Sequence, residues 1–134
     1  MSPRPRVLSI SSDIAVFYSR NLVLQFAGFE VVGCFKGIGA MEWFRSEVFD
    51  AVVIGHSMPE RTRLRLLRTM KQMKPQVPIV LIQETGDIGQ DLFEADAVCD
   101  SLDNPQQLIG LLHSLIGFAP QSVRRAVARA ATAG

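Results

Sequence analysis

Few residues of this chain have the means to do chemistry. Of its two histidines, His56 lies in the segment Ile54-Gly55-His56-Ser57-Met58-Pro59 and His113 in a leucine-rich stretch. Histidine can carry a phosphoryl group or ligate a metal, and Asp13 and Glu60 are the acids that would stand near His56. The plainer reading is a loop histidine satisfied by local hydrogen bonds, and His113 reads as structural. Asp50, His56 and Ser57 have the residue types of a hydrolytic triad, but neighbours on one loop do not readily adopt the chain of hydrogen bonds that a triad needs. Cys34 and Cys99 have no metal-ligating spacing, and each falls in or beside a strand, where a free cysteine acts as a small buried hydrophobe. Ser11-Ser12-Asp13 offers one carboxylate, and a lone exposed carboxylate is a poor magnesium site. The expectation is therefore no metal, no cofactor, no catalytic residue and no enzymatic activity.

The elements that position these residues alternate in type. Val7-Leu8-Ser9-Ile10 reads as a first strand, and Ser11-Ser12-Asp13 opens a helix, with a hydroxyl to cap free N–H groups and Asp13 at the positive end of the dipole. That helix runs to Ala27, and Gly28 suits the position after it. Glu30 to Cys34 is a second strand, and a second helix carries Met41, Trp43, Phe44 and Val48. Phe49 to Ile54 is the third strand, a short β-branched run of the kind covered on both faces of a sheet. A third helix spans Glu60 to Met73, with Leu64, Leu67 and Met70 at helical spacing. Ile79 to Ile82 is a fourth strand, and a short helix near Ile88 to Phe93 leads to a fifth at Ala97-Val98-Cys99. Pro105 opens a fifth helix with the stripe Leu108, Leu111, Leu112 and Leu115, ended by Gly117.

Strand and helix in alternation predict an α/β fold, a doubly wound five-stranded parallel sheet in the order 2-1-3-4-5 with right-handed crossovers. The middle strands are then the most apolar, and Cys34 and Cys99 fall on opposite edges, too far apart to bond. At 134 residues the chain is one domain, long enough to bury roughly two-thirds of its unfolded surface. A net charge of +1 with 48% hydrophobic and 20% charged residues gives no wholesale attraction to nucleic acid or membrane. No apolar run reaches bilayer length, and Met1 to Arg6 lacks the apolar core of a secretion signal, so a cytoplasmic location is expected.

Several stretches occur together at the spacing of a known family. Arg6-Val7-Leu8 before Asp13, Ala27-Gly28-Phe29-Glu30-Val31-Val32, Phe49-Asp50 leading the third strand, Met58-Pro59 after it, Leu64-x-Leu66-Leu67 and Pro78-Ile79-Val80-Leu81 resemble the CheY-like receiver domains of two-component response regulators, over about residues 5 to 116. The resemblance implies a flavodoxin-like fold. It also implies an acidic pair that holds Mg²⁺, a phosphoacceptor aspartate, a hydroxyl residue that senses the phosphoryl group and a lysine that pairs with it. Those positions fall on Ser11 and Ser12, Gly55, Gln83 and Ser101, so every one departs from the family's pattern, as do Leu102 and Val98. Asp13 is the acid that remains. From Gln83 to the fifth strand the chain is about four residues shorter than the family, roughly one helical turn, which shortens helix four.

The charges are unevenly spread along the chain. Arg61, Arg63, Arg65, Arg68, Lys71 and Lys74 come with no acid among them, whereas Glu84, Asp87, Asp91, Glu94, Asp96, Asp100 and Asp103 lie in a stretch without Lys or Arg. This predicts a basic helix-three side and an acidic helix-four to strand-five side. Arg61, Arg65, Arg68, Asp91, Asp96 and Asp100 are candidate partner contacts, and any homodimer is expected to avoid the acidic side because acid would meet acid. Phe17, Tyr18, Leu22 and Phe26 make the apolar arc of helix one too wide for one buried stripe, so Phe17, Leu22 and Phe26 are further candidates. Arg20 interrupts that arc with no evident reason.

Together these readings predict a receiver-like domain over 1–118 and a basic Ala/Arg-rich tail over 119–134. Its function is expected to be that of a phosphorylation-independent adaptor with a protein partner in bacterial signalling. One alternative is a small-ligand sensor or enzyme that uses the vacated pocket between Ser11, Gly55, Gln83 and Ser101, a pocket expected to be polar and uncharged apart from Asp13. The other is a weak nucleic-acid binder through the basic helix and tail, for which stacking aromatics and a groove-fitting motif are missing.

Overall fold

A computed structural model describes residues 4–83, 94–100 and 105–117. Helix four, Asp91, Ser101, Leu102 and the tail lie outside the described residues, so the expectations placed on them are not taken up. The described elements are β1 (Arg6–Ser11), α1 (Ile14–Phe26), β2 (Glu30–Phe35), α2 (Ala40–Ser46), β3 (Ala51–Ile54), α3 (Glu60–Met73), β4 (Ile79–Gln83), β5 (Ala97–Asp100) and α4 (Pro105–Ile116), the last being the helix expected as the fifth. All strand pairings are parallel, in the order β2-β1-β3-β4-β5. Cys34 on β2 and Cys99 on β5 are buried and free on opposite edge strands.

Side chains alternate across a strand, and this alternation sorts the apolar residues into two cores. Leu8, Ile10, Val52, Ile54, Ile79 and Leu81 pack with Phe44, Leu67 and Met70 of α2 and α3. Val7, Ala51, Val53, Val80 and Ile82 face Leu24 of α1 and Leu108, Leu112 and Ile116 of α4. Every residue of β3 is buried, because helices cover both faces of a central parallel strand. Leu108 and Leu112 form the stripe expected on α4, extended by Ile116, with Leu111 and Leu115 at its margin. His113 sets its ring 5.2 Å from that of Phe29.

Local chemistry shifts several boundaries. β3 begins at Ala51 rather than Phe49, because Asp50 is committed to β1. Its N–H donates to the Arg6 carbonyl at 2.8 Å, and its carboxylate accepts from the Arg6 N–H at 2.8 Å. Phe49 lies buried beneath the Arg6 guanidinium, 5.0 Å from its ring centre. Helix α2 ends at Ser46, which leaves Val48 exposed. At the end of α1, Phe29 and Gly28 donate to Leu24 and Gln25 carbonyls in a Schellman turn. Gly28 has φ +100° there, a conformation that a side chain would oppose. On α3 the inward residues are Arg63, Leu67 and Met70, not Leu64. Positions 63, 67 and 70 share one helix face, and Leu64 is rotated off it by about 100°.

Phe17 is buried, which corrects its assignment to a partner surface. Its ring lies on Gly33 of β2 and 5.8 Å from that of Phe35, so the missing side chain of one strand residue creates the seat for the aromatic one. A Cβ on Gly33 would stand 2.6 Å from Phe17 Cζ. Gly33→Ala is therefore expected to lower stability by about 1–3 kcal/mol through overpacking. Gly110→Ala, in open space on α4, is expected to raise it by up to about 1 kcal/mol. Urea unfolding of the two variants beside the parent chain reads both signs.

Candidate functional site

Parallel sheets of this kind present their ligand end at the carboxyl ends of the strands. Ser11 ends β1, Gly55 follows β3, Gln83 ends β4, and Asp100 pairs with Gln83 at the end of β5. Gly55 is held in place by its N–H, which donates to the Ile10 carbonyl at 2.7 Å. The Ser57 hydroxyl accepts from the Ser12 N–H at 3.1 Å and lies 3.3 Å from the Ser11 hydroxyl. Ser57 thus ties the loop after β3 to the loop after β1, a role its rejection as a triad member did not suggest. Asp13, and not a serine hydroxyl, is the N-cap of α1; its Oδ1 accepts from the Val16 N–H at 3.1 Å. The carboxylate that was to be the pocket's one charge is therefore engaged with the helix.

The charge in the pocket belongs to Arg20. A Cβ built on Gly55 would stand 3.0 Å from Ser11 Oγ, 3.2 Å from Arg20 Nη1 and 3.2 Å from the Ile10 carbonyl. The guanidinium thus stands beside the point where a side chain at position 55 would begin, and this corrects the expectation of a pocket uncharged apart from Asp13. Arg20 Nη1 is buried and makes no hydrogen bond to any described residue. Burial lowers the Arg20 pKa, and the electrostatic pull of Cys99 and Asp13 opposes that shift; a guanidinium stays charged regardless. The sequence did carry a signal. Phe17, Arg20 and Leu24 have the spacing of one inward face, and the residues on either side of Arg20 in that series are buried.

Beside Arg20, a cleft of about 320 Å³ opens between α1 and α4, lined by Val16, Val23, Ile82, Cys99, Asp100 and Leu108 among others. His56 is partly buried on the loop after β3; its Nδ1 has no hydrogen bond among the described residues, and its carbonyl accepts from Arg63 Nη1 at 2.9 Å. Among the described residues no cluster of His, Cys, Asp or Glu could hold a metal ion.

No family model matches the chain. Among curated proteins it is similar to the response regulator MprA of Mycobacterium ulcerans, 29% identical over 108 residues, 80% of this chain and 47% of that protein. The relatives from Mycobacterium avium and Mycobacterium leprae are each 28% identical over the same length. The chain thus spans about half the length of the curated relatives it matches. Its fold is similar to a CheY-like receiver domain from Methanospirillum hungatei, with TM-score 0.76 and 19% identity over 85% of this chain and 94% of that one. It is likewise similar to response regulator TrrA of Thermotoga maritima in complex with Mg(2+)-BeF, with TM-score 0.74 and 20% identity over 83% and 98%. The chain is similar in sequence to response regulators and has the fold of their CheY-like receiver domains. No described helix is long and apolar enough to cross a membrane.

The magnesium site of receiver domains does not fit the residues of this chain. Ser11 and Ser12 offer hydroxyls in place of carboxylates, Asp13 caps α1, and a fixed cation stands beside Gly55. A divalent ion prefers charged hard oxygens and is repelled by a neighbouring guanidinium.

Among the described residues, members of the two charged stretches meet. Arg68 grips Glu94 in a two-pronged pair, Nε to Oε1 at 2.9 Å and Nη2 to Oε2 at 2.8 Å. Lys71 meets Asp96 at 2.9 Å. Lys74 reaches the Glu47 carbonyl at 3.0 Å and sits over the Phe44 ring, and Arg63 is buried. Arg68 and Lys71 of the basic stretch are thus paired with Glu94 and Asp96 of the acidic one, while Arg61 and Arg65 remain exposed on α3. The apolar residues of α1 form a clearer feature. Ile14, Tyr18, Leu22 and Phe26 recur every four residues and are 50%, 63%, 54% and 89% exposed. Leu22 and Phe26 keep their place as contact candidates, and Ile14 joins them by its spacing.

Removing the Ser57 hydroxyl in Ser57→Ala is expected to cost about 0.5–1.5 kcal/mol in chemical unfolding. The bond from Arg68 also holds the Glu94 carboxyl below its ordinary pKa. Such a group stabilises the fold above its unfolded pKa and loses that contribution as the pH falls through the lowered value. Glu94→Gln should accordingly lower the melting temperature at pH 7, with the difference closing as the pH is taken below about 4.

Proposed function

We propose that this receiver signals without accepting a phosphoryl group and acts through protein contacts made by the outer face of α1. The observation that carries the reading is the pairing of Gly55 with Arg20. Phosphoryl acceptance needs a nucleophilic side chain and, in this family, a metal. Position 55 has no side chain, and the space beside it holds a cation.

The proposed contact surface is the ridge of Ile14, Tyr18, Leu22 and Phe26. Apolar side chains at a spacing of four on one exposed helix face are suited to dock against a partner's apolar groove or helix. A nucleic-acid role is disfavoured because Arg68 and Lys71 are paired with Glu94 and Asp96 and Arg63 is buried. A cytoplasmic setting belongs to the same proposal.

Incubation with acetyl phosphate and Mg²⁺ followed by intact-mass measurement is expected to show no added phosphoryl group; a gain of one would overturn the reading. Gly55→Asp is expected to stay unmodified as well, because the new carboxylate would meet Arg20 rather than a metal. Leu22→Asp combined with Phe26→Asp is expected to abolish binding of a partner identified by affinity capture while changing stability by no more than about 1 kcal/mol in total, since both sites are exposed.

A further inference from the structure

The cleft between α1 and α4 differs from an ordinary packing gap in what lines it. Val16 and Val23 come from one helix, Leu108 from the other, and Ile82 from the sheet floor, so its walls are largely aliphatic. Arg20 stands among them with a buried Nη1 that no described group satisfies. An unsatisfied buried donor is costly, and more so when it carries charge. An arginine kept for packing alone is ordinarily paired, or extends its head into water. This one sets Nη1 inward beside Gly55, at the strand ends where parallel sheets bind their ligands.

We propose that the cleft binds a small organic monocarboxylate with an apolar body, its carboxylate held by Arg20 and its hydrocarbon by Val16, Val23, Ile82 and Leu108. A guanidinium presents a planar fork of donors that matches a carboxylate and holds it best away from water. A volume of about 320 Å³ lies at the small end of ligand sites, enough for a short acyl or aromatic acid. The largely aliphatic walls set a monoacid with an apolar body above a diacid, whose second carboxylate would lose its water there. The ligand needs no metal, and its cleft lies beside the carboxyl end of β5. The proposal stands apart from the adaptor reading, since failure of carboxylate binding would leave the phosphorylation assay unaffected.

The test is titration calorimetry of the full chain in EDTA with octanoate, octanol, succinate and inorganic phosphate as probes. Octanoate is expected to bind at millimolar concentration or below and to raise the melting temperature as its concentration rises. Octanol, succinate and phosphate should each bind at least about tenfold more weakly. Arg20→Met keeps the apolar stem and removes the charge, and it should weaken octanoate by about tenfold or more. Ala15→Trp, at an exposed position on the cleft's lip, should weaken octanoate without touching Arg20, and it serves if Arg20→Met does not fold. The proposal is overturned by absence of octanoate binding, by octanol or phosphate binding as tightly as octanoate, or by octanoate binding unchanged in a folded Arg20→Met or Ala15→Trp.

Discussion

The contact between the Arg20 guanidinium and the bare backbone of Gly55 governs the ligand end of this domain. The two residues make a single feature, because a Cβ on one would press on Nη1 of the other. A guanidinium cannot shed its proton at any ordinary pH, so its charge is permanent in a space where burial weakens the screening of water. Its position opposes a divalent cation and favours an anion. The serine hydroxyls around it and the N-capping use of Asp13 fit that arrangement, since among the described residues no cluster of carboxylates could hold a metal.

On the other face of the sheet, the run of cations on α3 serves as a set of tethers. Arg63 holds the loop after β3. Arg68 and Lys71 hold Glu94 and Asp96 ahead of β5, and Asp96 in turn accepts from the Ile79 N–H at 2.7 Å, which anchors the start of β4. Lys74 spans to Glu47 after α2. Each tether is modest by itself when exposed. Together they join three loops to one helix, and the outward apolar residues of α1 are the more distinctive surface among the described residues.

Much of the scaffold is readable from the chain alone. Val52-Val53-Ile54 and Val80-Leu81-Ile82 are continuous apolar runs, as buried parallel strands must be, and Leu108 and Leu112 repeat at helical spacing, as an inward helix face must. The fold order follows from placing those runs in the middle of the sheet. The stripe on α3 was harder to read because Arg63 takes an inward position, and an arginine gives no apolar signal there even though its head is used on the His56 carbonyl.

Periodicity and residue type are local properties, and so the sequence by itself determined the strand and helix order, the glycine at the end of β3 and the lack of a carboxylate pair beside it. The tertiary structure decided which charges meet. It buried Phe17 on Gly33, paired the basic run of α3 with Glu94 and Asp96, and turned Arg20 inward toward Gly55. These outcomes depend on distances through space between residues far apart in the chain, for which composition and spacing carry no term. Arg20 shows the difference most clearly: along the chain it interrupts an apolar helix, and in the fold it is the charge at the site.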